Sequence, residues 1–312
     1  MTQELCWTWR GFNISYCQIH PSTSGSPPRR AALLIHGFGA SKGHWRHNLA
    51  ALSQDASVYA IDLLGFGNSS KPMSCLEGEA PLTGAVRYCF DLWAEQIRDF
   101  CLDVIGINTP IELQLIGNSI GGVVALNATR LLEACHQPPQ QVILIDCAQR
   151  ELDLKRLSEQ PWPVQISRPL LMAVVRQRWL IRSLLQVLAR RPFVRNVLKQ
   201  AYPSGRNVDD ALVELLLAPS REPGATESFR GFVNLFNDWL APQLLAQIQV
   251  PVRLLWGEDD PWEPVEEARR WEREYPCVQE LKVLPGVGHC PHDEAPDQVN
   301  PILCEWLRLG WR

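Results

Sequence analysis

The stretch Leu115-Ile-Gly-Asn-Ser-Ile-Gly-Gly-Val123 decides how the rest of the chain is interpreted. An apolar run enters it like a buried strand, and Val123-Val-Ala-Leu126 leaves it like the packed face of a helix. Ser119 therefore falls on a sharp strand-to-helix turn, flanked by Gly117 and Gly121. Glycine tolerates the strained backbone and the close approach of strand and helix in such a turn. The pattern Gly-x-Ser-x-Gly predicts that the Ser119 hydroxyl is exposed at a helix N-terminus as a nucleophile.

Apolar strands alternate with helical patterns on both sides of this turn. Strands are predicted at 31–35, 57–61, 111–116, 141–147, 252–256 and 278–284, and helices at 44–52, 86–104, 119–134, 264–275 and 296–309. This alternation predicts an α/β fold with a mostly parallel sheet that is covered by helices on both faces. Alternating apolar residues in 5–10 and 12–19 add an antiparallel hairpin at one edge, and the polar segment 21–30 is predicted to be a loop.

Residues 149–246 interrupt the alternation. They are rich in Leu, Arg and Trp, follow a helical pattern and contain no convincing strand. We therefore predict a helical lid, 149–246, inserted into one core domain made of residues 1–148 and 247–312.

Composition limits the classes of function. The chain has 312 residues, 46% hydrophobic and 21% charged, with a net charge of -4, which is typical of a globular protein and gives no reason to expect nucleic-acid binding. No secretion signal and no apolar stretch long enough to span a bilayer is visible, which predicts an intracellular location. The ten cysteines include no Cys-x-x-Cys pair, which favours reduced core thiols over disulfides or a metal site.

Two later segments supply the partners that a serine nucleophile needs. A base must accept the hydroxyl proton, and a carboxylate must orient that base, in the chain order serine, acid, histidine. The segment Gly286-Val-Gly-His289 follows the last predicted strand, so His289 is the candidate base and His292 is not. The segment Gly257-Glu-Asp-Asp-Pro-Trp262 follows the strand before it. Spacing alone leaves three candidate acids there: Glu258, Asp259 and Asp260.

The segment His36-Gly-Phe-Gly39 follows the first parallel strand and predicts one side of an oxyanion hole. Two backbone N–H groups should stabilise the oxyanion, those of Phe38 and Ile120. His36 is expected to shape this loop rather than to transfer a proton. The predicted chemistry needs no metal and no organic cofactor.

These motifs, with Asp62-Leu-Leu-Gly-Phe-Gly67 and Gly288-His-Cys-Pro-His-Asp-Glu294, resemble the α/β-hydrolase superfamily over nearly the whole chain. Within it, the chain is most similar to the pheophytinase and chlorophyll dephytylase branch of plants and cyanobacteria. The resemblance implies an α/β-hydrolase fold and places the acid on Asp260 and the base on His289. It also implies hydrolysis of the ester that joins phytol to a chlorin ring.

Other functions remain open at this point. A general carboxylesterase or lipase, or a C–C bond hydrolase acting on another apolar substrate, would use the same three residues. A pigment or lipid carrier that keeps the fold without catalysis is the alternative from another class. The oligomeric state is not predicted, and the tryptophans at 45, 162, 179, 239 and 262 either line an apolar pocket or pack in the core.

The predicted lid has a distinctive charge pattern. Between residues 168 and 206 it carries nine basic residues and no acidic one: Arg168, Arg176, Arg178, Arg182, Arg190, Arg191, Arg195, Lys199 and Arg206. Basic helices with a broad apolar face suit the surface of an anionic membrane, such as a thylakoid. The alternative is a lid whose apolar face covers the site and whose arginines are solvated.

Overall fold

A single sheet runs through the protein in a computed structural model that describes residues 2–21, 29–80, 82–108 and 111–310. Most of the predicted loop 21–30 lies outside the described residues. The strands are β1 (Gln3–Trp9), β2 (Phe12–Ile19), β3 (Arg30–Ile35), β4 (Ser57–Ile61), β5 (Glu112–Asn118), β6 (Gln141–Ile145), β7 (Val252–Gly257) and β8 (Val278–Leu284). Their order across the sheet is β1-β2-β4-β3-β5-β6-β7-β8.

The pairing of the strands confirms the predicted sheet. β1 pairs with β2 and β2 with β4 in antiparallel fashion. All pairs from β4 to β8 are parallel. The central strands are apolar on both faces because both faces are covered, whereas the hairpin at the edge alternates between buried and exposed side chains.

The helices are α1 (Leu49–Leu52), α2 (Phe90–Phe100), α3 (Ile120–Ala134), α4 (Trp162–Val175), α5 (Arg178–Leu188), α6 (Arg191–Ala201), α7 (Asp210–Leu217), α8 (Ala225–Val233), α9 (Ala241–Leu245), α10 (Val265–Glu274), α11 (Pro291–Glu294) and α12 (Pro296–Gly310). One apolar layer, which includes side chains of α2, α3 and α10, covers one face of the sheet. A second layer, with side chains of α1 and α12, covers the other face. The sheet therefore lies between two apolar cores.

Two helix predictions were wrong in extent. The predicted helix 44–52 is a 3-10 turn, Lys42–Trp45, followed by the short α1. The Asn48 side chain, which lies between them, donates to the His292 carbonyl and to the Asn300 side chain. The segment is therefore bonded to residues near the end of the chain and does not continue as one longer helix. The predicted helix 86–104 begins only at Phe90, because Cys89 is extended and its sulfur accepts the Leu92 N–H as an N-cap.

The helices α4 to α9 lie between β6 and β7, where the sequence predicted an all-helical insertion. In the described ranges of the chain, no helix is both long and apolar enough to cross a bilayer. We refer below to α4 through α9 as the inserted helices, and the domain limits at 149 and 246 stay predictions.

Candidate active site

Ser119 is the single residue between the end of β5 and the start of α3, and its backbone angles are φ 54° and ψ -124°. A Cβ atom on Gly117 would lie 2.2 Å from the Gly121 carbonyl oxygen, and one on Gly121 would lie 2.3 Å from the Ile35 carbonyl oxygen. Any larger residue would force the strands and α3 apart, which explains the spacing of the two glycines. The Ser119 side chain makes no capping bond to α3, so its hydroxyl is not used by the helix.

His289 and Asp260 are in direct contact. The imidazole Nδ1 lies 2.7 Å from Asp260 Oδ2. The other carboxylate oxygen accepts backbone N–H groups of Trp262, at 2.9 Å, and Glu263, at 3.2 Å. Asp260 is buried, whereas Glu258 and Asp259 are exposed. An Nδ1–H bond to the carboxylate leaves Nε2 of the imidazole as the acceptor.

The loop that carries His289 is held from three sides. The His289 N–H donates to the Ala201 carbonyl at the end of α6, at 3.0 Å, and its carbonyl accepts the Asn118 side-chain amide, at 3.2 Å. The Glu294 carboxylate accepts the Gly288 N–H at 2.7 Å. These contacts fix the imidazole relative to both β5 and the inserted helices.

Phe38 and Ile120 lie on the wall of the same cavity as Ser119. Ile120 is the first residue of α3, so its N–H has no acceptor within the helix. The Phe38 N–H has no acceptor among the residues that the structure describes. His36 donates from Nδ1 to the Gly37 carbonyl, at 2.8 Å, and accepts the Leu63 N–H at Nε2, at 3.1 Å, so it holds the loop in place. Burial lowers the pKa of His36, which keeps the imidazole neutral.

His292 is not on the wall of this cavity. It is fully buried against Trp45, with ring centroids 4.4 Å apart, and its ring nitrogens have no hydrogen-bond partner in the described part of the chain. Burial lowers the pKa of His292 well below its usual value.

Asp146 is a residue of the site that sequence reasoning missed. It follows β6, is fully buried, and accepts the Gly257 N–H at Oδ1, at 2.9 Å. Its Oδ2 atom has no partner among the described residues. Burial, and then the neighbouring Asp260 carboxylate, raise the pKa of Asp146 well above its usual value. Its place at the carboxyl end of a strand was the one signal available.

Trp262 was also missed as a neighbour of the imidazole. Its ring lies edge-on to His289, with centroids 4.9 Å apart and planes at 72°. Trp262 lines the cavity, but Trp45 is buried in the core and Trp162 and Trp179 are exposed. Trp162 and Trp179 therefore neither line the cavity nor pack in the core, which were the two predicted alternatives.

The cavity that contains Ser119 and His289 has a volume of about 730 Å³. This is within the usual range for a site that encloses a small organic ligand. The inserted helices supply much of its wall through apolar side chains, namely Leu171, Val175, Val197, Leu198, Leu216, Phe232 and Val233. Within the described ranges, no group of three or more His, Cys, Asp or Glu side chains is placed to hold a metal ion.

Comparison with known proteins places this arrangement in a family. A model described as the alpha/beta hydrolase family matches residues 32–302. The chain belongs to this family. This α/β-hydrolase is 27% identical to the chloroplastic pheophytinase of Arabidopsis thaliana, over 89% of its own length and 61% of that of the relative. It thus spans less than two thirds of that protein.

Two further proteins are similar to this chain. The α/β-hydrolase is 28% identical to an uncharacterised protein of Mycobacterium tuberculosis, over 90% of its own length and 75% of that of the relative. Among solved structures, a serine hydrolase involved in carbazole degradation matches with a TM-score of 0.73 at 19% identity, covering 99% of this chain and 100% of that one. At this identity the match shows the shared fold, which is the fold that the sequence motifs predicted.

Proposed function

We propose that this protein is a serine hydrolase that cleaves a carboxylic ester of a bulky apolar substrate, with the phytyl ester of chlorophyll or pheophytin as that substrate. One observation carries the proposal. His289, which is paired with Asp260 at 2.7 Å, lines a large, mostly apolar cavity together with the strained turn that presents Ser119. A cavity with such residues is the usual site of acyl transfer in a protein of this fold.

The first half of the proposed reaction forms an acyl-enzyme. Ser119 Oγ bonds to the ester carbonyl carbon while His289 Nε2 accepts the hydroxyl proton. Asp260 holds the Nδ1–H group and stabilises the imidazolium that results. The negative charge that develops on the carbonyl oxygen is bound by the Phe38 and Ile120 N–H groups, and one such donor contributes about 3 kcal/mol to catalysis.

The acyl-enzyme is complete when His289 returns its proton to the alcohol oxygen, the bond between that oxygen and the acyl carbon breaks, and the alcohol leaves. In the second half, water attacks the acyl group on Ser119 while His289 accepts a proton from it. His289 then gives this proton to Ser119 Oγ as the bond between Oγ and the acyl carbon breaks, and the free acid leaves. Every proton transfer in this sequence is made by His289.

Two observations support an apolar substrate. The inserted helices line the cavity with Leu, Val and Phe side chains, which favour a hydrocarbon group over a charged one. The Arabidopsis thaliana relative, 27% identical, is named a pheophytinase. The proposal of a chlorin ester rests on this similarity, whereas the proposal of a serine esterase rests on the geometry of the site.

Two experiments test the serine mechanism and the chlorin ester substrate separately. A fluorophosphonate probe should label the wild type at Ser119 and should not label the Ser119→Ala variant, and a folded wild type that is not labelled would contradict the serine mechanism. Chlorophyll a, pheophytin a and short p-nitrophenyl esters are then compared as substrates. Release of phytol by the wild type and not by Ser119→Ala supports the chlorin ester, and cleavage of the short esters alone overturns it.

The acid is tested with a matched pair of variants. Asp260→Asn should lower kcat on the best substrate by a factor of about 10⁴, because an orienting carboxylate of this kind contributes about that much in serine proteases. Asp259→Asn removes an adjacent but exposed carboxylate and should leave kcat unchanged. A large loss in Asp259→Asn with none in Asp260→Asn would reverse the assignment.

A further inference from the structure

The inserted helices α4 and α5 expose apolar side chains to solvent. On α4, Trp162, Ile166 and Leu170 are 72%, 71% and 69% exposed, and Val174 continues the same row at a spacing of four residues. Side chains four apart lie on one face of a helix, so these residues form a continuous stripe. Trp179 on α5 is 68% exposed, and Val187 is also exposed. We call these six residues the outer apolar face.

Such a face marks a surface that meets something other than water. Single exposed apolar residues are ordinary in globular proteins, but a contiguous apolar stripe indicates a partner or a membrane. Tryptophan is especially suited to the boundary between hydrocarbon and water, because its ring is apolar and its N–H is polar. Both tryptophans of the outer apolar face are exposed in this way.

The basic residues of this region are not all unpaired, although the sequence between 168 and 206 contains no acidic residue. Four of the nine basic residues pair with carboxylates: Arg178 with Glu227, Arg191 with Asp210 and Glu214, Arg195 with Asp210, and Arg206 with Asp297. Arg182 in α5 and Arg190, which follows α5, are exposed and have no carboxylate partner in the part of the chain that the structure describes. Residues 160–208 contain no acidic side chain. The apolar face is therefore accompanied by free positive charge.

The cavity opens beside the same helices. Leu171 lines the cavity from α4 and is also 42% exposed, and Leu152, 59% exposed, lines it too. An apolar molecule that rests against the outer apolar face would thus reach the cavity past these leucines. This path would avoid transfer of the substrate through water.

We propose that the outer apolar face docks on a bilayer that contains anionic lipids, with α4 and α5 lying in the interface and Arg182 and Arg190 contacting the headgroups. Helices that present an apolar face beside basic residues bind bilayers in this manner, through buried apolar area and attraction of the basic residues to anionic lipid. The inference deepens the proposed function, since it says where that enzyme meets an apolar ester. Docking itself needs no turnover, so the two can fail separately.

The test is flotation of the full-length protein with vesicles of phosphatidylcholine, with and without about a third phosphatidylglycerol. The wild type should bind the anionic vesicles at least tenfold more tightly. The triple variant Trp162→Ser, Ile166→Ser, Leu170→Ser should lose at least tenfold of that affinity because it removes apolar area from the contact. Hydrolysis of a water-soluble p-nitrophenyl ester, measured in parallel, should be unchanged, which shows that this variant is folded.

A matched pair of variants isolates the charge. Arg182→Gln with Arg190→Gln should weaken binding to anionic vesicles about tenfold or more, at about 1 kcal/mol for each arginine. Arg269→Gln with Arg273→Gln makes the same charge change on α10, which packs on β7 and β8, and should leave binding unchanged. Equal losses in the two pairs would overturn a role for this face.

Three results would overturn the proposal. The first is no binding of the wild type to anionic vesicles. The second is binding that the triple variant retains. The third is a lipid-free dimer, measured by light scattering, that the triple variant converts to a monomer, because a second copy of the chain would then cover the face. A wild type that binds anionic vesicles but is not labelled by the fluorophosphonate probe would contradict the proposed function and leave the docking result intact.

Discussion

The carboxyl group of Asp146 is fully buried and lies near Asp260. Its Oδ1 accepts the Gly257 N–H, and its Oδ2 has no donor among the described residues. A proton on Oδ2 avoids a second negative charge beside Asp260. Because burial and Asp260 raise the pKa of Asp146, this proton is retained when exposed carboxyl groups have lost theirs.

Asp146→Asn should therefore stabilise the fold, and increasingly so at higher pH. The pKa of Asp146 is higher in the folded chain than in the unfolded one, so its contribution to stability is complete below about pH 4 and is lost as pH rises toward the folded pKa. Asparagine has the same shape and does not titrate. Urea unfolding at pH 4 and pH 8 should show the advantage of Asp146→Asn growing by about 1 kcal/mol or more.

Asp259→Asn is the control for this prediction, since it removes an exposed carboxylate from a neighbouring loop. Its difference from the wild type should be nearly the same at both pH values. An advantage of Asp146→Asn that shrinks as pH rises would mean that Asp146 is ionised in the folded protein.

At the scale of single residues, the sequence could reveal what depends on local geometry. The turn at Ser119 was predictable because its Gly-x-Ser-x-Gly pattern lies within five residues, and a side chain at Gly117 would clash with Gly121, four residues away. The clash that excludes a side chain at Gly121 is with Ile35 on β3, which the local pattern does not show. The choice among Glu258, Asp259 and Asp260 was not predictable from spacing, because burial against His289 separates them and burial depends on distant parts of the chain. The places of Asp146 and Trp262 beside the other site residues also depend on distant parts of the chain, so spacing did not predict them.

At the scale of elements, α4 shows why a helical pattern does not reveal a core-facing side. It has apolar residues on both faces: Leu171 and Val175 line the cavity, whereas Trp162, Ile166 and Leu170 face outward. An amphipathic helix has one apolar stripe, and its periodicity then identifies the buried face. The sequence thus predicted the helical character of this region but not how its faces are arranged.

Arg168 is the exception on α4, because it is buried and positively charged. Its guanidinium lies 5.5 Å from the ring centroid of Phe236, and none of its nitrogens has a hydrogen-bond partner in the described ranges. A buried charge without hydrogen bonds costs several kcal/mol, and a contact with an aromatic ring offsets up to about 2 kcal/mol of this. Arg168 therefore destabilises the folded state.

Arg168→Met should raise the free energy of unfolding by about 1–3 kcal/mol, since methionine fills an apolar site without a charge. Chemical denaturation of both proteins measures the difference. Arg182→Met makes the same substitution at an exposed position of α5 and should change stability by less than about 0.5 kcal/mol. A clear loss of stability in Arg168→Met would show that the guanidinium has a favourable interaction that outweighs its burial.

At the scale of the whole molecule, α4 and α5 differ from α6 and α7 in how they are attached to the rest of the protein. The described side chains of α4 and α5 include two buried ones, Arg168 and Ile181. The segment from α6 to α7 buries an apolar cluster: Leu198, Ala201, Tyr202, Leu212, Val213 and Leu217, with Cys290. The Tyr202 hydroxyl also donates to Asp293, at 3.0 Å, beside the loop that carries His289.

This difference predicts that the inserted helices do not open as one lid. Local opening is easiest where few apolar groups are buried, so α4 and α5 should unfold or separate from the core at a lower free energy than α6 and α7. Hydrogen exchange followed by mass spectrometry should show amides of α4 and α5 exchanging at least tenfold faster than those of α7 and of β5. Because the Ala201 carbonyl holds the His289 backbone, opening α6 would also displace the imidazole, whereas opening α4 and α5 would widen the cavity and leave His289 in place. Equal protection across α4 to α7 would contradict this division and would favour a single rigid lid with the limits predicted from the sequence.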